Sequence, residues 1–129
     1  MYAKDRRFVQ QHLPGARQIL YFFDGFQQAD GSLRNLPWWN FTDWVAIDDW
    51  KHGTRSPGKD GNSALLDIQL LLAYQKAANL ELKTGMAAYA AIYQQKAAQL
   101  KKTIQQKYWD DRRKLYADRS EKDLFSQHT

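Results

Sequence analysis

The spacing of apolar residues predicts three helices, with one long segment between the first two that lacks helical period. The first helix is predicted over residues 14–26, where Pro14 suits the first turn because its missing N–H leaves no bond unmade there. Its expected apolar stripe is Ala16, Ile19, Leu20, Phe23 and Phe26. A short helix that starts near Asp5 is expected before it and carries Phe8, Val9 and Leu13.

The second helix is predicted to begin after Asn62 or Ser63, both favourable N-cap residues, and to stop at Gly85, a favourable C′ residue. Residues 64–74 are apolar on nearly every side, which is typical of a helix buried on more than one face. Beyond Tyr74 the apolar residues keep to one side. This helix should therefore have neighbours on several sides over its first half.

The third helix is predicted over residues 86–107, and a tight turn at 83–85 makes it an antiparallel hairpin with the second. Its expected core stripe is Tyr89, Tyr93, Ala97, Leu100, Ile104 and Tyr108. A short excursion around a turn should follow at residues 108–118, and residues 120–129 should start another helix. The predicted fold class is all-α.

The segment between the first two helices, residues 24–61, is rich in glycine and proline and holds four of the five tryptophans: Trp38, Trp39, Trp44 and Trp50. A loop of this length inside a compact domain is usually functional or disordered. Its aromatic content favours an ordered loop that is packed by its own rings.

Composition argues against several classes of protein, among them disordered, disulfide-bonded and membrane-spanning chains. The chain has 129 residues, of which 43% are hydrophobic and 26% charged, which argues against disorder. It has no cysteine, so disulfides and thiolate metal sites are excluded. No apolar run approaches the roughly 20 residues of a membrane span, and the first twenty residues lack the apolar region of a signal peptide.

The net charge of +5 comes mainly from the second half of the chain, between Lys96 and Lys114. A basic surface of this kind can bind nucleic acid. Gln and Asp interrupt the clusters, however, and the nearby aromatics do not alternate with basic residues as a single-strand groove requires. A solvated helix face is the favoured interpretation, and no nucleic-acid partner is expected.

Candidate chemistry is concentrated at residues 36–44, where aromatic, amide and carboxylate side chains stand together. An indole face can carry the apolar face of a pyranose, while Asp and Asn exchange hydrogen bonds with its hydroxyls. The candidate sugar-binding residues are Trp39, Asn40, Asp43 and Trp44. The alternative is that the tryptophans simply fill the middle of a helical domain.

Acid–base work on a glycosidic bond needs two carboxyl groups, and Asp43 with Asp48 or Asp49 could supply them, at a separation that sequence does not show. The three histidines are far apart, no EF-hand spacing is present, and no serine lies in a nucleophile elbow. We therefore expect no metal site and no cofactor.

An ordered series of motifs resembles the bacterial α-L-rhamnosidases, and more broadly the six-hairpin glycosidases. The series is residues 39–44, Gly61 with residues 64–67, residues 85–86, residues 108–110, residues 115–118 and residues 125–128. The resemblance implies an (α/α)6 barrel that removes terminal α-L-rhamnose with inversion.

Residue by residue, Asp43 and Trp44 match the family's substrate-contacting Asp-Trp segment, with Trp39 and Asn40 beside it. Residues 125–128 match the entrance to the next barrel helix and are interpreted as structural. The family's general acid lies in an acidic, arginine-containing motif upstream, and its general base is the glutamate of a downstream Thr-x-Trp-Glu motif. Neither motif occurs here, so no catalytic residue is assigned.

The resemblance therefore implies that residues 1–129 are a single partial domain, the middle of a longer barrel. The isolated chain should be inactive, and its unpartnered barrel surface should either stay exposed as a large apolar patch or be buried by self-association. The expected partner is a rhamnose-containing glycan or glycoside, and the parent enzyme is expected in the periplasm or at the cell surface. The alternative is a non-catalytic helical module that binds glycan or protein through the tryptophan loop.

Overall fold

The computed structural model describes residues 6–45 and 50–129, which form three long helices and two short hairpins. Helix α1 is Arg6–Asp24, α2 is Ala64–Thr84 and α3 is Ala87–Tyr108. Strands β1 (Trp50–Lys51) and β2 (Thr54–Arg55) pair antiparallel, as do β3 (Trp109–Asp110) and β4 (Leu115–Tyr116). The predicted all-α fold is confirmed, and the second hairpin is the excursion expected after the third helix.

Helices α2 and α3 form the predicted antiparallel hairpin around Gly85. Gly85 has a left-handed backbone with φ of 88°, which costs glycine little. Its N–H donates to the carbonyl of Leu82, and the N–H of Met86 donates to that of Glu81, so the last carbonyls of α2 are satisfied. At the other end Ser63 is the N-cap as predicted, but its hydroxyl makes no capping bond. The N–H of Ala64 donates instead to the carbonyl of Asp118 at 2.9 Å.

The core lies between α2 and α3, with α1 packed on α2. Its buried residues are Leu20, Leu33, Ala64, Leu70, Tyr74, Ala78, Tyr93, Ala97, Leu100, Ile104 and Tyr108. The predicted stripe of α3 is confirmed except for Tyr89, which is exposed and has the guanidinium of Arg17 of α1 3.8 Å from its ring centroid. Ile19 of the predicted α1 stripe is also exposed. Periodicity located the helices but not every inward position.

The division of the first helix at Pro14 was wrong, because α1 continues through that residue. A proline inside a helix removes one backbone hydrogen bond. Pro14 and Gln10, whose carbonyl loses its helical partner, are exposed, so water can bond to that carbonyl. The buried side chains of Leu13 and Leu20 hold the helix on the core on both sides of Pro14. Tertiary packing therefore overrides the local stop signal.

The further helix expected over residues 120–129 was also wrong, since this segment consists of turns. Lys122 takes a left-handed backbone with φ of 56°. The hydroxyls of Ser126 and Thr129 bond to the Asp118 carboxylate at 2.8 and 3.0 Å. These side-chain bonds hold the segment against the body of the protein and compete with helical hydrogen bonding.

Among the helices of residues 6–45 and 50–129, none combines the length and apolar character that crossing a membrane requires.

Candidate functional site

The long segment after α1 is attached to the helices at its near end. The buried carboxylate of Asp67 on α2 accepts the N–H of Leu33 at 2.7 Å and the hydroxyl of Tyr108 at 2.6 Å. The amide of Asn62 donates to the carbonyl of Leu33 at 2.6 Å and to the hydroxyl of Ser32 at 2.9 Å. Residues 32–33 and 62, on either side of the stretch that carries the tryptophans, are therefore bonded to each other, and the Asp67 carboxylate links Leu33 to α2 and α3.

The hairpin of β1 and β2 supports the site through its two-residue turn. His52 and Gly53 both have positive φ, 52° and 76°, the combination of a type I′ turn. The carbonyl of Gly53 accepts the N–H of Thr42 at 2.7 Å and that of Asp43 at 3.3 Å. A Cβ on Gly53 would lie 2.4 Å from the ring of Phe41. Glycine is therefore required both for the turn and for the close approach of Phe41.

Three rings form the aromatic cluster: Trp39, Phe41 and Trp44. The Trp39 centroid lies 5.2 Å from that of Phe41 and 6.1 Å from that of Trp44, and Phe41 lies 5.3 Å from Trp44. The indole N–H of Trp39 donates to the carbonyl of His52 at 2.6 Å, which fixes that ring on the hairpin. The loop is thus packed by its own rings, as predicted, yet Trp39 is 61% and Trp44 70% exposed.

Exposed indoles of this kind do not fill the core, so the alternative that the tryptophans are core residues holds only for Trp50, which is buried. Trp38 is 81% exposed and stacks on Phe22 of α1, with ring centroids 5.7 Å apart. The amide of Asn40 donates to the carbonyl of Leu36 at 3.0 Å, so its amide oxygen is directed elsewhere. Large exposed aromatic faces are typical of binding surfaces.

The Asp43 carboxylate is held between two neighbours. Its Oδ1 accepts the backbone N–H of Trp44 at 2.7 Å, and its Oδ2 lies 2.9 Å from Nε2 of His128. The pKa of the Asp43 carboxyl is lowered, first by the hydrogen bond with His128 and then by that of the Trp44 N–H. The carbonyl of Asp43 accepts the indole N–H of Trp50 at 2.6 Å. Asp43 is therefore an ionised, oriented acceptor beside the aromatic cluster.

A cleft of about 380 Å³ opens next to these residues. It is within the size range of small-molecule sites. Trp39 and Asn40 line it, together with Asn35, Leu36, Trp38, Thr42, Thr54, Arg55, Pro57, Gly61, Ser63 and Leu66. Trp39 and Asn40 also border a second cleft of about 440 Å³ between the loop and α1 and α2. Asp43 and Trp44 do not line either of these two clefts.

The carboxylate pairs considered for acid–base work include Asp48 and Asp49, which lie outside the described residues. The two glutamates of the chain are already engaged. Glu81 forms a bidentate pair with Arg17, and Glu121 accepts the N–H of Lys59 at 2.6 Å. Within residues 6–45 and 50–129, no group of three or more His, Asp and Glu side chains is placed to hold a metal ion.

The C-terminal turns contribute contacts to the site that the sequence did not predict. His128 meets Asp43 across 85 positions of sequence, and Arg55 meets Asp118 across 63. Residues that far apart carry no periodic or motif signal of contact. A two-residue turn ending in glycine between Trp50 and Arg55 was the one local signal of the supporting hairpin.

The chain is similar to known proteins both in sequence and in fold. Residues 1–127 match the sequence model of the bacterial alpha-L-rhamnosidase 6 hairpin glycosidase domain. No curated protein sequence matches significantly. Among solved structures, the GH78 family rhamnosidase of Bacillus sp. GL1 is similar, with a TM-score of 0.73 and 22% identity. The match covers 91% of this chain and 11% of that one, so the likeness shows a shared fold over a small part of a longer protein.

Proposed function

The chain belongs to the bacterial α-L-rhamnosidase six-hairpin glycosidase domain family, and from that premise we propose that it forms part of a rhamnose-binding subsite. The substrate is a glycan or glycoside that ends in α-L-rhamnose, and the complete enzyme removes that sugar with inversion. The residues that bind it are Asp43, Trp44, Trp39 and Asn40.

The observation that carries this proposal is the placement of an oriented carboxylate beside exposed indole rings. The apolar face of a 6-deoxy sugar would lie against the aromatic cluster, where the Trp39 and Trp44 rings are about 6 Å apart. Asp43 Oδ1 and Oδ2 already accept one hydrogen bond each, and a carboxylate oxygen has room for a second, from a sugar hydroxyl. The cleft lined by Trp39 and Asn40 would take the next part of the glycan.

Exposed apolar side chains support the interpretation of this chain as part of a larger barrel. Helix α1 exposes Phe8, Ile19, Tyr21 and Phe22, and α3 exposes Tyr89 and Ile92. An apolar groove of about 220 Å³ also runs between α1 and α2. In the complete domain these surfaces would pack on further helices, and in the isolated chain they would favour self-association.

Binding of L-rhamnose should quench or shift the tryptophan fluorescence of the 129-residue chain. Asp43→Asn should weaken that binding about tenfold, because a charged acceptor for the sugar hydroxyls becomes a neutral amide. Equilibrium fluorescence titration measures both effects. Asp111→Asn, an equal change of charge on an exposed turn, is the matched control and should bind as the unaltered chain does.

L-Fucose, a 6-deoxy sugar of different stereochemistry, tests specificity in the same titration. Equal response to both sugars, or a rhamnose response that survives Asp43→Asn, would contradict the proposed subsite. A fluorescence response to a glycan without terminal rhamnose would favour the non-catalytic module instead.

The isolated chain should not hydrolyse an aryl α-L-rhamnoside. Inverting hydrolysis needs a general acid and a general base about 6.5–9.5 Å apart, and we propose that both are supplied by other parts of the barrel. Release of the aryl alcohol at pH 5–8 is followed by absorbance, with a complete six-hairpin rhamnosidase as the positive control. Turnover that Asp43→Asn abolishes would overturn the proposed division of the catalytic machinery.

A further inference from the structure

The turns after β4 fold back onto the loop that carries Asp43. His128 lies in these turns, and its Nε2 is 2.9 Å from Oδ2 of Asp43. Its ring packs on that of Trp50, with centroids 5.2 Å apart. Trp50 donates its indole N–H to the Asp43 carbonyl. His128 therefore contacts the carboxylate of Asp43 and Trp50 bonds to its backbone carbonyl, while the two rings contact each other.

The position of His128 is itself set by a buried ion pair. The N–H of His128 donates to the hydroxyl of Ser126 at 3.2 Å, and that hydroxyl donates to Asp118 Oδ1. Asp118 Oδ2 lies 2.9 Å from Nε of Arg55, whose guanidinium stands over the Trp50 ring at 5.3 Å. These contacts form a closed series. It runs from Asp43 to His128, through Ser126 to Asp118, and then through Arg55 and Trp50 back to Asp43.

We propose that His128 is a positioning residue for sugar binding, which orients the Asp43 carboxylate so that its free lone pairs face the sugar beside the aromatic cluster. This inference rests on the proposed function. It changes the interpretation of residues 125–128 from purely structural to part of the site. Nε2 donates to Oδ2 while Trp44 N–H donates to Oδ1, so the carboxylate cannot rotate without losing one bond.

His128 is the ionisable side chain that acts on the Asp43 carboxylate. Asp43 faces His128, and His128 in turn faces Trp50, beyond which lie Arg55 and Asp118. Arg55 and Asp118 neutralise each other at short range. His128 is consequently the group expected to set the protonation and orientation of Asp43, and it is the largest cause of the lowered pKa of that carboxyl.

The first test follows the Asp43 side-chain carbon of the isotope-labelled chain by NMR as a function of pH. His128→Ala should raise the pKa of Asp43, whereas His128→Gln should keep it lower than in the alanine variant, since the glutamine amide can donate from a similar position. His12→Gln, on exposed ground in α1, is the matched control and should leave the pKa unchanged. An identical Asp43 pKa in the unaltered chain and His128→Ala would overturn the proposed pair.

The second test is the L-rhamnose titration of the same variants. His128→Ala should weaken binding about tenfold, and His128→Gln should restore it to within about twofold. His12→Gln, an exposed histidine of α1, is the matched control and should bind L-rhamnose as the unaltered chain does. Circular dichroism and urea unfolding establish that each variant is folded.

A double-mutant cycle makes the outcome specific to positioning. In a chain that already carries Asp43→Asn, His128→Ala should have no further effect on binding, because its role acts through that carboxylate. Rhamnose binding that His128→Ala leaves unchanged would contradict the role of His128 alone. Absence of rhamnose binding by the unaltered chain would contradict the proposed function, while the NMR titration would still report whether the pair forms.

Discussion

Asp118→Ala is expected to lower the free energy of unfolding by about 3–5 kcal/mol, because it leaves the buried guanidinium of Arg55 without a counter-charge. The side chains of Arg55 and Asp118 are 5% and 0% exposed, and Nε lies 2.9 Å from Oδ2. The Nε–H does not point at that oxygen, since Nε makes no hydrogen bond in spite of the distance. The contact is therefore mainly electrostatic and is sensitive to loss of the charge.

The size of this effect is large compared with the total stability of a small domain, about 5–15 kcal/mol. Asp118 also accepts the hydroxyls of Ser126 and Thr129, so the variant should release the turns that present His128. Urea unfolding followed by tryptophan fluorescence measures the change, and sugar titration should show weaker binding in the molecules that remain folded.

Two control variants separate burial from charge. Asp123→Ala removes a carboxylate that pairs with Arg119 at 2.6 Å but is half exposed, so its cost should be much smaller. Combining Arg55→Met with Asp118→Leu removes both charges at similar volume and should recover part of the lost stability. If Asp118→Ala and Asp123→Ala lowered the free energy of unfolding equally, the buried pair would contribute no more to stability than the exposed one.

Asp67 should make the fold less stable as the pH rises through its titration range. The carboxyl is completely buried, and this burial raises its pKa to about 6 from the ordinary 3.8, despite the bonds from Leu33 and Tyr108. Between these two values the folded chain binds more protons than the unfolded chain. The free energy of unfolding therefore falls as pH increases, and a pKa difference of about 2 corresponds to about 3 kcal/mol.

Asp67→Asn keeps an acceptor for Leu33 and a polar partner for Tyr108 but cannot titrate. The unaltered chain should lose about 3 kcal/mol relative to this variant between pH 3.5 and pH 7. Urea unfolding at several pH values gives the difference. Relative to Asp123→Asn, the unaltered chain should instead gain stability as the pH rises, because the hydrogen bond from Arg119 lowers the pKa of the Asp123 carboxyl. A difference between Asp67→Asn and the unaltered chain that does not vary with pH would disprove the titration of Asp67.

The helices were predictable because their signals are local. Ser63 and Gly85 bound α2 at the predicted positions, although the Ser63 hydroxyl makes no capping bond. The apolar run of α2 correctly indicated contacts on more than one side. Pro14 failed as a boundary because the packing of Leu13 and Leu20 on the core outweighs its local cost. Tyr89 follows the period of α3 but is exposed, and its ring contacts Arg17 of α1, a contact that period alone does not predict.

The sequence predicted the local part of the candidate site but not its distant partner, because only signals between neighbouring residues are visible in a sequence. Trp39, Asn40, Asp43 and Trp44 stand together in one short stretch, so their residue types pointed to sugar chemistry before any contact was known. Their roles in binding remain a proposal. The partner that orients Asp43 lies 85 residues away, and a contact at that distance results from packing.

By itself, the sequence determined the three helices, the family resemblance that the sequence comparison confirmed, and the clustering of tryptophans in one loop. The helices depend on capping and periodicity, the resemblance on short motifs in a fixed order, and the clustering on composition alone, so the signals for all three are present in the chain before it folds. Only the tertiary structure decided which indoles are exposed, that His128 faces Asp43, and that Arg55 and Asp118 lock the hairpin to the C-terminal turns. Those outcomes depend on burial and on ion pairs between distant segments, which exist only once the chain has folded.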